Sequence, residues 1–62
     1  MQAPIYLTIA EFKRSTTYRR WRAVDAQLAA AIEAGDLETE QRLSPEWAAL
    51  DLIVQDVYAS LT

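Results

Sequence analysis

The densest cluster of chemically capable side chains is Lys13-Arg14-Ser15-Thr16-Thr17-Tyr18-Arg19-Arg20-Trp21-Arg22. These ten residues carry five of the six basic groups in the 62-residue chain, together with two aromatics. Arg outnumbers Lys four to one there. A guanidinium is a planar fork that matches carboxylates and phosphates and stacks on aromatic faces. Ser15, Thr16 and Thr17 can add hydroxyl hydrogen bonds to a phosphate at a helix N-terminus. Lys13, Arg14, Arg19, Arg20 and Arg22 are therefore the candidate partner-binding residues, toward an acidic protein surface or a nucleic acid. If all five met phosphates on duplex DNA, log affinity would fall against log salt with a slope of about −4.5.

Three features weigh against nucleic acid. The chain as a whole is acidic, with an isoelectric point near 4.6, whereas nucleic-acid domains have a basic balance. Arg19, Arg20 and Arg22 spread over roughly 160° of a helical wheel rather than forming one stripe. Trp21 falls on an apolar helix face, where it cannot stack on a base. An acidic partner is the leading expectation, either another protein or the acidic residues 33–56 within one chain or between copies, and nucleic acid is the alternative.

The residue types that are missing exclude most catalysis. With no His and no Cys, there is no Ser-His or Cys-His nucleophile pair and no zinc site of the usual kind. A single glycine, Gly35, cannot build a phosphate-cradling loop. Asp, Glu, Lys, Ser, Thr and Tyr remain, and no two stand at a spacing that demands a reaction. No enzymatic activity, cofactor, metal or small-molecule substrate is expected. Asp25 is the one polar residue that interrupts an apolar face, lying beside Ile32 on the wheel with Tyr18 alongside. A carboxylate buried there needs a partner: Arg22, the Tyr18 hydroxyl, an indole N–H or an Arg from elsewhere. It reads as a buried polar contact that fixes helix register or partner choice, or as an edge carboxylate paired with Arg22.

Charge is polarised along the chain. Residues 1–24 sum to +4 and residues 25–62 to −7, for a net charge of −3. Fifty-two per cent of the residues are hydrophobic, which argues against disorder. Yet a chain this short buries only about 60% of its unfolded surface. Having no disulfide to reinforce it, such a chain calls for a partner, and a second copy is the simplest. No apolar run approaches the ~18 residues of a membrane span. No Lys or Arg precedes the apolar stretch within residues 1–10, so that stretch does not read as a signal peptide. A cytoplasmic protein is expected.

Helix-end signals define the elements that position these residues. Thr8-Ile9-Ala10-Glu11 is a capping box, with Leu7 and Phe12 as its hydrophobic staple. It opens a short helix over residues 9–14, behind an extended apolar arm at residues 1–8. Ser15-Thr16-Thr17 weakens the helix and marks a break or bend. A longer helix is predicted over residues 18–34, ending at Gly35 as a left-handed cap. Asp36 caps a connector helix over residues 37–42. Ser44-Pro45-Glu46 has the pattern of a new helix start, leading into a helix over residues 45–61. The fold class is all-α, a small bundle built on an antiparallel hairpin of residues 18–34 and 45–61.

Both long helices carry a core face. Trp47, Leu50, Val54, Val57 and Leu61, flanked by Ile53 and Tyr58, form one; Trp21, Val24, Leu28, Ala31 and Ile32 form the other. Each also has a smooth second face. Ala48, Leu52 and Ala59 back the last helix, while Ala23, Ala26 and Ala30 back the earlier one. Small residues let another helix approach closely, so these six are the candidate self-association residues, with a homodimeric four-helix bundle as the closed solution.

Overall fold

A computed structural model of the chain describes residues 8–61. The described residues form three helices, α1 (Ile9–Phe12), α2 (Thr16–Ala34) and α3 (Leu37–Leu61). The expected arm at residues 1–7, including the staple residue Leu7, lies outside them.

Hydroxyl and carboxylate caps set the boundaries. The Thr8 hydroxyl accepts the Glu11 backbone N–H at 3.0 Å and starts α1. The residues that follow are turns rather than helix, so α1 stops at Phe12 and not near residue 14. Ser15 then adopts an extended backbone, and its Oγ accepts the Tyr18 N–H at 3.1 Å. That bond is a standard N-cap. It resolves the Ser-Thr-Thr break into two separate helices and starts α2 at Thr16, two residues before the expected position.

At the other end of α2, Gly35 takes φ 72°, ψ 22°. The Asp36 N–H reaches back to the Ala31 carbonyl at 2.9 Å and the Gly35 N–H to the Ile32 carbonyl at 3.2 Å. This is the Schellman arrangement, which satisfies the last carbonyls of a helix. Asp36 at once caps α3. Its carboxylate accepts the Thr39 N–H at 3.2 Å and the Thr39 hydroxyl at 2.6 Å. Two residues therefore reverse the chain, where a connector of about ten was expected.

The two helices expected over residues 37–42 and 45–61 are one continuous α3. Ser44 does not cap a new start. Its Oγ donates to the Glu40 carbonyl at 2.7 Å, one turn back. Pro45 sits inside the continuous helix. A proline there removes one N–H and crowds the carbonyl four residues earlier, at a cost of about 3 kcal/mol. Pro45 and Gln41 are both exposed, so the defect lies on the solvent side of α3. Leu43 on one side of Pro45 is buried and Trp47 on the other is half-buried. Packing against α2 thus anchors α3 across the local defect.

α2 and α3 pack as an antiparallel hairpin, and α1 lies against α3. Phe12 and Val24 are fully buried, and Ala31, Leu43, Val54 and Val57 nearly so. Around Phe12, Val54 and Val57 gather Tyr18, Trp21, Tyr58 and Leu61. Phe12 meets Tyr18 and Tyr58 edge-on, with ring centroids 5.6 and 6.1 Å apart. Such aromatic geometry adds to simple burial. Two residues assigned to core faces are instead exposed, Ile32 at 57% and Ile53 at 47%. Two helices share only a narrow seam, so residues flanking the stripe turn outward. Leu43, between the expected connector helix and the expected last helix, belongs to the core.

Candidate functional site

The basic cluster lies at the end of the hairpin where α1 meets α2. Lys13 and Arg14 occupy the exposed turn between them, and Arg19, Arg20 and Arg22 are exposed on the first turns of α2. The cluster is not uniformly available. The Arg20 guanidinium holds Glu46 on α3, with Nε and a terminal nitrogen each 2.7 Å from the same carboxylate oxygen. It clasps the hairpin across 26 residues of sequence. With side chains 53% and 39% exposed, such a pair contributes only about 0.2–1 kcal/mol. Among the described residues Lys13, Arg14, Arg19 and Arg22 form no ion pair. Trp21 packs into the Phe12 cluster, which removes it as a base-stacking platform. Its Nε1 is buried and meets no acceptor among the described residues.

Asp25 is not buried. The side chain is exposed at the hairpin flank, and it accepts the Trp47 indole N–H at 3.0 Å. The partner is thus neither Arg22 nor Tyr18, but an aromatic donor on the opposing helix. The contact still ties α2 to α3 in one register, as a bridging hydrogen bond at the surface rather than a polar group in the core.

The six residues of the two smooth faces, Ala23, Ala26 and Ala30 on α2 and Ala48, Leu52 and Ala59 on α3, are all exposed. They do not make one surface. On a helical wheel each set lies opposite its own core stripe. In an antiparallel pair those backs point in opposite directions. One two-fold contact cannot use both.

The hairpin flank carries a surface to which both helices contribute. Leu28, Ala29 and Ile32 on α2 and Trp47 on α3 line a groove of about 280 Å³, with Asp25 at its rim. The Asp25–Trp47 bond fixes the indole as one wall. This groove was missed in sequence because Ile32 and Trp47 were both assigned inward. Its only signal there was the position of Asp25 beside Ile32 on the wheel. On the opposite flank Gln27, Ala30, Ala31, Ala34, Asp36 and Thr39 line a shallower depression with small and polar walls.

Folding mixes the charges that are polarised along the sequence. Glu33, Asp36, Glu38 and Glu40 gather around the turn with Arg42, while the antiparallel α3 brings Asp51 and Asp56 back toward the end that carries residues 13–22. Asp36 is held below the ordinary carboxylate range by the Thr39 hydroxyl, then by the Thr39 N–H, with Arg42 assisting and slight desolvation opposing. Among the described residues no three acidic side chains converge to hold a metal ion, and no helix is long and apolar enough to cross a membrane.

Fold and surface together define an all-α helical hairpin with a short docked helix, an apolar flank groove and an Arg-rich segment at the end where α1 docks. No family model matches the sequence, and neither a curated protein nor a solved structure matches it.

Proposed function

We propose that this chain is a small non-enzymatic interaction and regulatory module. It self-associates through a helical surface and presents its Arg-rich segment to an acidic partner. The groove walled by Leu28, Ala29, Ile32 and Trp47 carries the reading. Ile32 remains 57% exposed in its floor, in a chain whose core amounts to six buried side chains among the described residues. A chain so short gains from every apolar group it removes from water, at roughly 25 cal/mol per Å². An apolar groove open between two helices lets another molecule's apolar side chain add to that burial. The absence of Cys suits a reducing cytoplasm.

Sedimentation equilibrium between about 1 and 100 µM tests the self-association, a range that brackets ordinary weak dimers. The expected result is a concentration-dependent rise above the 7.0 kDa monomer. Ideal monomer behaviour throughout removes self-association from the proposal. Nucleic acid is the alternative role for the basic segment, supported by the exposure of Lys13, Arg14, Arg19 and Arg22. With Arg20 engaged by Glu46, four phosphate contacts give a salt slope of about −3.6 on duplex DNA. A mobility shift with that slope favours this second role over the first.

A further inference from the structure

We infer that residues 37–43 of α3 form a detachable strap, hinged at Ser44–Pro45, which opens while residues 45–61 stay helical and docked. Three local features at this one step oppose a continuous helix. Pro45 has no N–H to give the Gln41 carbonyl, and its ring crowds that carbonyl. A residue before proline is pushed from helical toward extended backbone, yet Ser44 is held helical within α3. Its Oγ donates to the Glu40 carbonyl at 2.7 Å, a back-bond that weakens and bends helices.

All three are relieved together when Ser44 turns extended. Its hydroxyl then accepts the Trp47 N–H as an N-cap. Pro45 becomes the first helical residue, where a missing N–H does no harm, and Glu46 meets the positive end of the shortened helix. Residues 45–61 therefore have a sound start with or without the strap. They also hold the polar ties to α2. The Arg20–Glu46 and Asp25–Trp47 contacts both lie just beyond Pro45. Among the described residues no side-chain hydrogen bond or ion pair joins residues 37–43 to α2. Leu43 is the one buried side chain of the strap, whereas residues 45–61 bury Val54 and Val57 and half-bury Trp47 and Leu50 among others. A segment this short is not a stable helix once detached. The strap thus exchanges between docked helix and loose chain, with Gly35, at φ 72°, as its second pivot. Opening uncovers Ala31 and Leu43, which are buried in the closed form, and extends the apolar flank of Leu28 and Ile32. A molecule that binds only the uncovered face holds the strap open by shifting this equilibrium.

Amide hydrogen exchange followed by NMR on the full chain tests the strap. The N–H groups of residues 41–44 bond back to residues 37–40 in an α-helix. They should share one protection level, at least about tenfold below that of residues 50–58, with the step at Pro45. Pro45→Ala restores the N–H and removes the ring. Exchange at residues 41–44 should then slow by on the order of a hundredfold, or until it matches residues 50–58. Ser44→Ala deletes the cap of the open form and leaves a good helix former in the closed one. The same amides should slow by about threefold or more. Both substitutions favour helix, so both variants keep the fold. Equal protection of residues 41–44 and 50–58 in the parent chain overturns the strap. So does a smooth rise in protection from the start of α3, with no step at Pro45 and no response to Pro45→Ala, which is ordinary end fraying. Faster exchange in Ser44→Ala overturns the hinge, because the Glu40 back-bond would then be supporting the continuous helix.

Discussion

The two ends of the hairpin differ in how many elements enclose them. Where α1 docks, Phe12, Val54 and Val57 are wrapped by Tyr18, Trp21, Tyr58 and Leu61. Near the turn, Ala31 and Leu43 are buried, while Ile32 and Leu37 stand 57% and 65% exposed. Three elements can surround an apolar side chain on all sides. Two helices meet along a seam and leave both flanks open. The docked end is thus a small complete core, and the turn end is half of one. Backbone capping compensates at the turn, through Gly35 and Asp36. The open flank leaves Ile32 and part of Trp47 for water or a second molecule to cover.

This contrast can be broken by truncation. Phe12→Ala should have the largest effect, a loss of about 3–5 kcal/mol in urea denaturation. That is most of the stability such a small domain has, so unfolding at room temperature is the expected outcome. Leu43→Ala at the turn end should cost about 2 kcal/mol, the low end for its type, because a two-helix seam can close around the gap. Equal losses at the two positions would show that the turn end is as tightly packed as the docked end.

Acidification sharpens the comparison at the turn. The folded-state affinity of Asp36 for its proton is depressed by Thr39. Its capping contribution is therefore complete above the unfolded carboxylate value of about 3.9 and is lost as pH falls through the lower folded value. Amide chemical shifts around Thr39 should report fraying of the α3 start below about pH 4. Asp36→Asn keeps a good capping side chain without a titrating group, so this local transition should vanish from its pH series. The smallest effect is expected at Leu52, 68% exposed on the back of α3. Leu52→Ser should change stability by no more than about 0.5 kcal/mol. In the self-association proposed through the flank groove, it should leave dimerisation in sedimentation equilibrium unaltered. Dimer loss in that variant would restore the smooth helix backs as the interface.

Local chemistry was legible wherever a short stretch of chain settles its own structure. Thr8, Gly35 and Asp36 cap the helices that their identities indicate, because a cap involves only residues three to five apart. The central stripes held as well: Trp21, Val24, Leu28, Trp47, Leu50, Val54, Val57 and Leu61 are all buried or half-buried. A period of 3.6 shows which side of a helix is apolar. It does not show how wide a strip of that side the neighbour will cover, which is why Ile32 and Ile53 were misplaced.

The all-α class, the hairpin and the polarised charge were determined by the sequence alone, through helix periodicity, end signals and the order of ionisable residues. Tertiary structure decided the rest. Ser44-Pro45 is a start signal in isolation, yet contacts from Leu43 and Trp47 on either side carry α3 through it. Arg20 is one of five similar cations until folding brings Glu46 to it, and Asp25 acquires its indole donor in the same way. A groove exists only between two helices whose separation no single stretch of sequence encodes. Contacts between residues more than twenty positions apart depend on how the packed faces are rotated against each other, and that rotation is a property of the assembled pair.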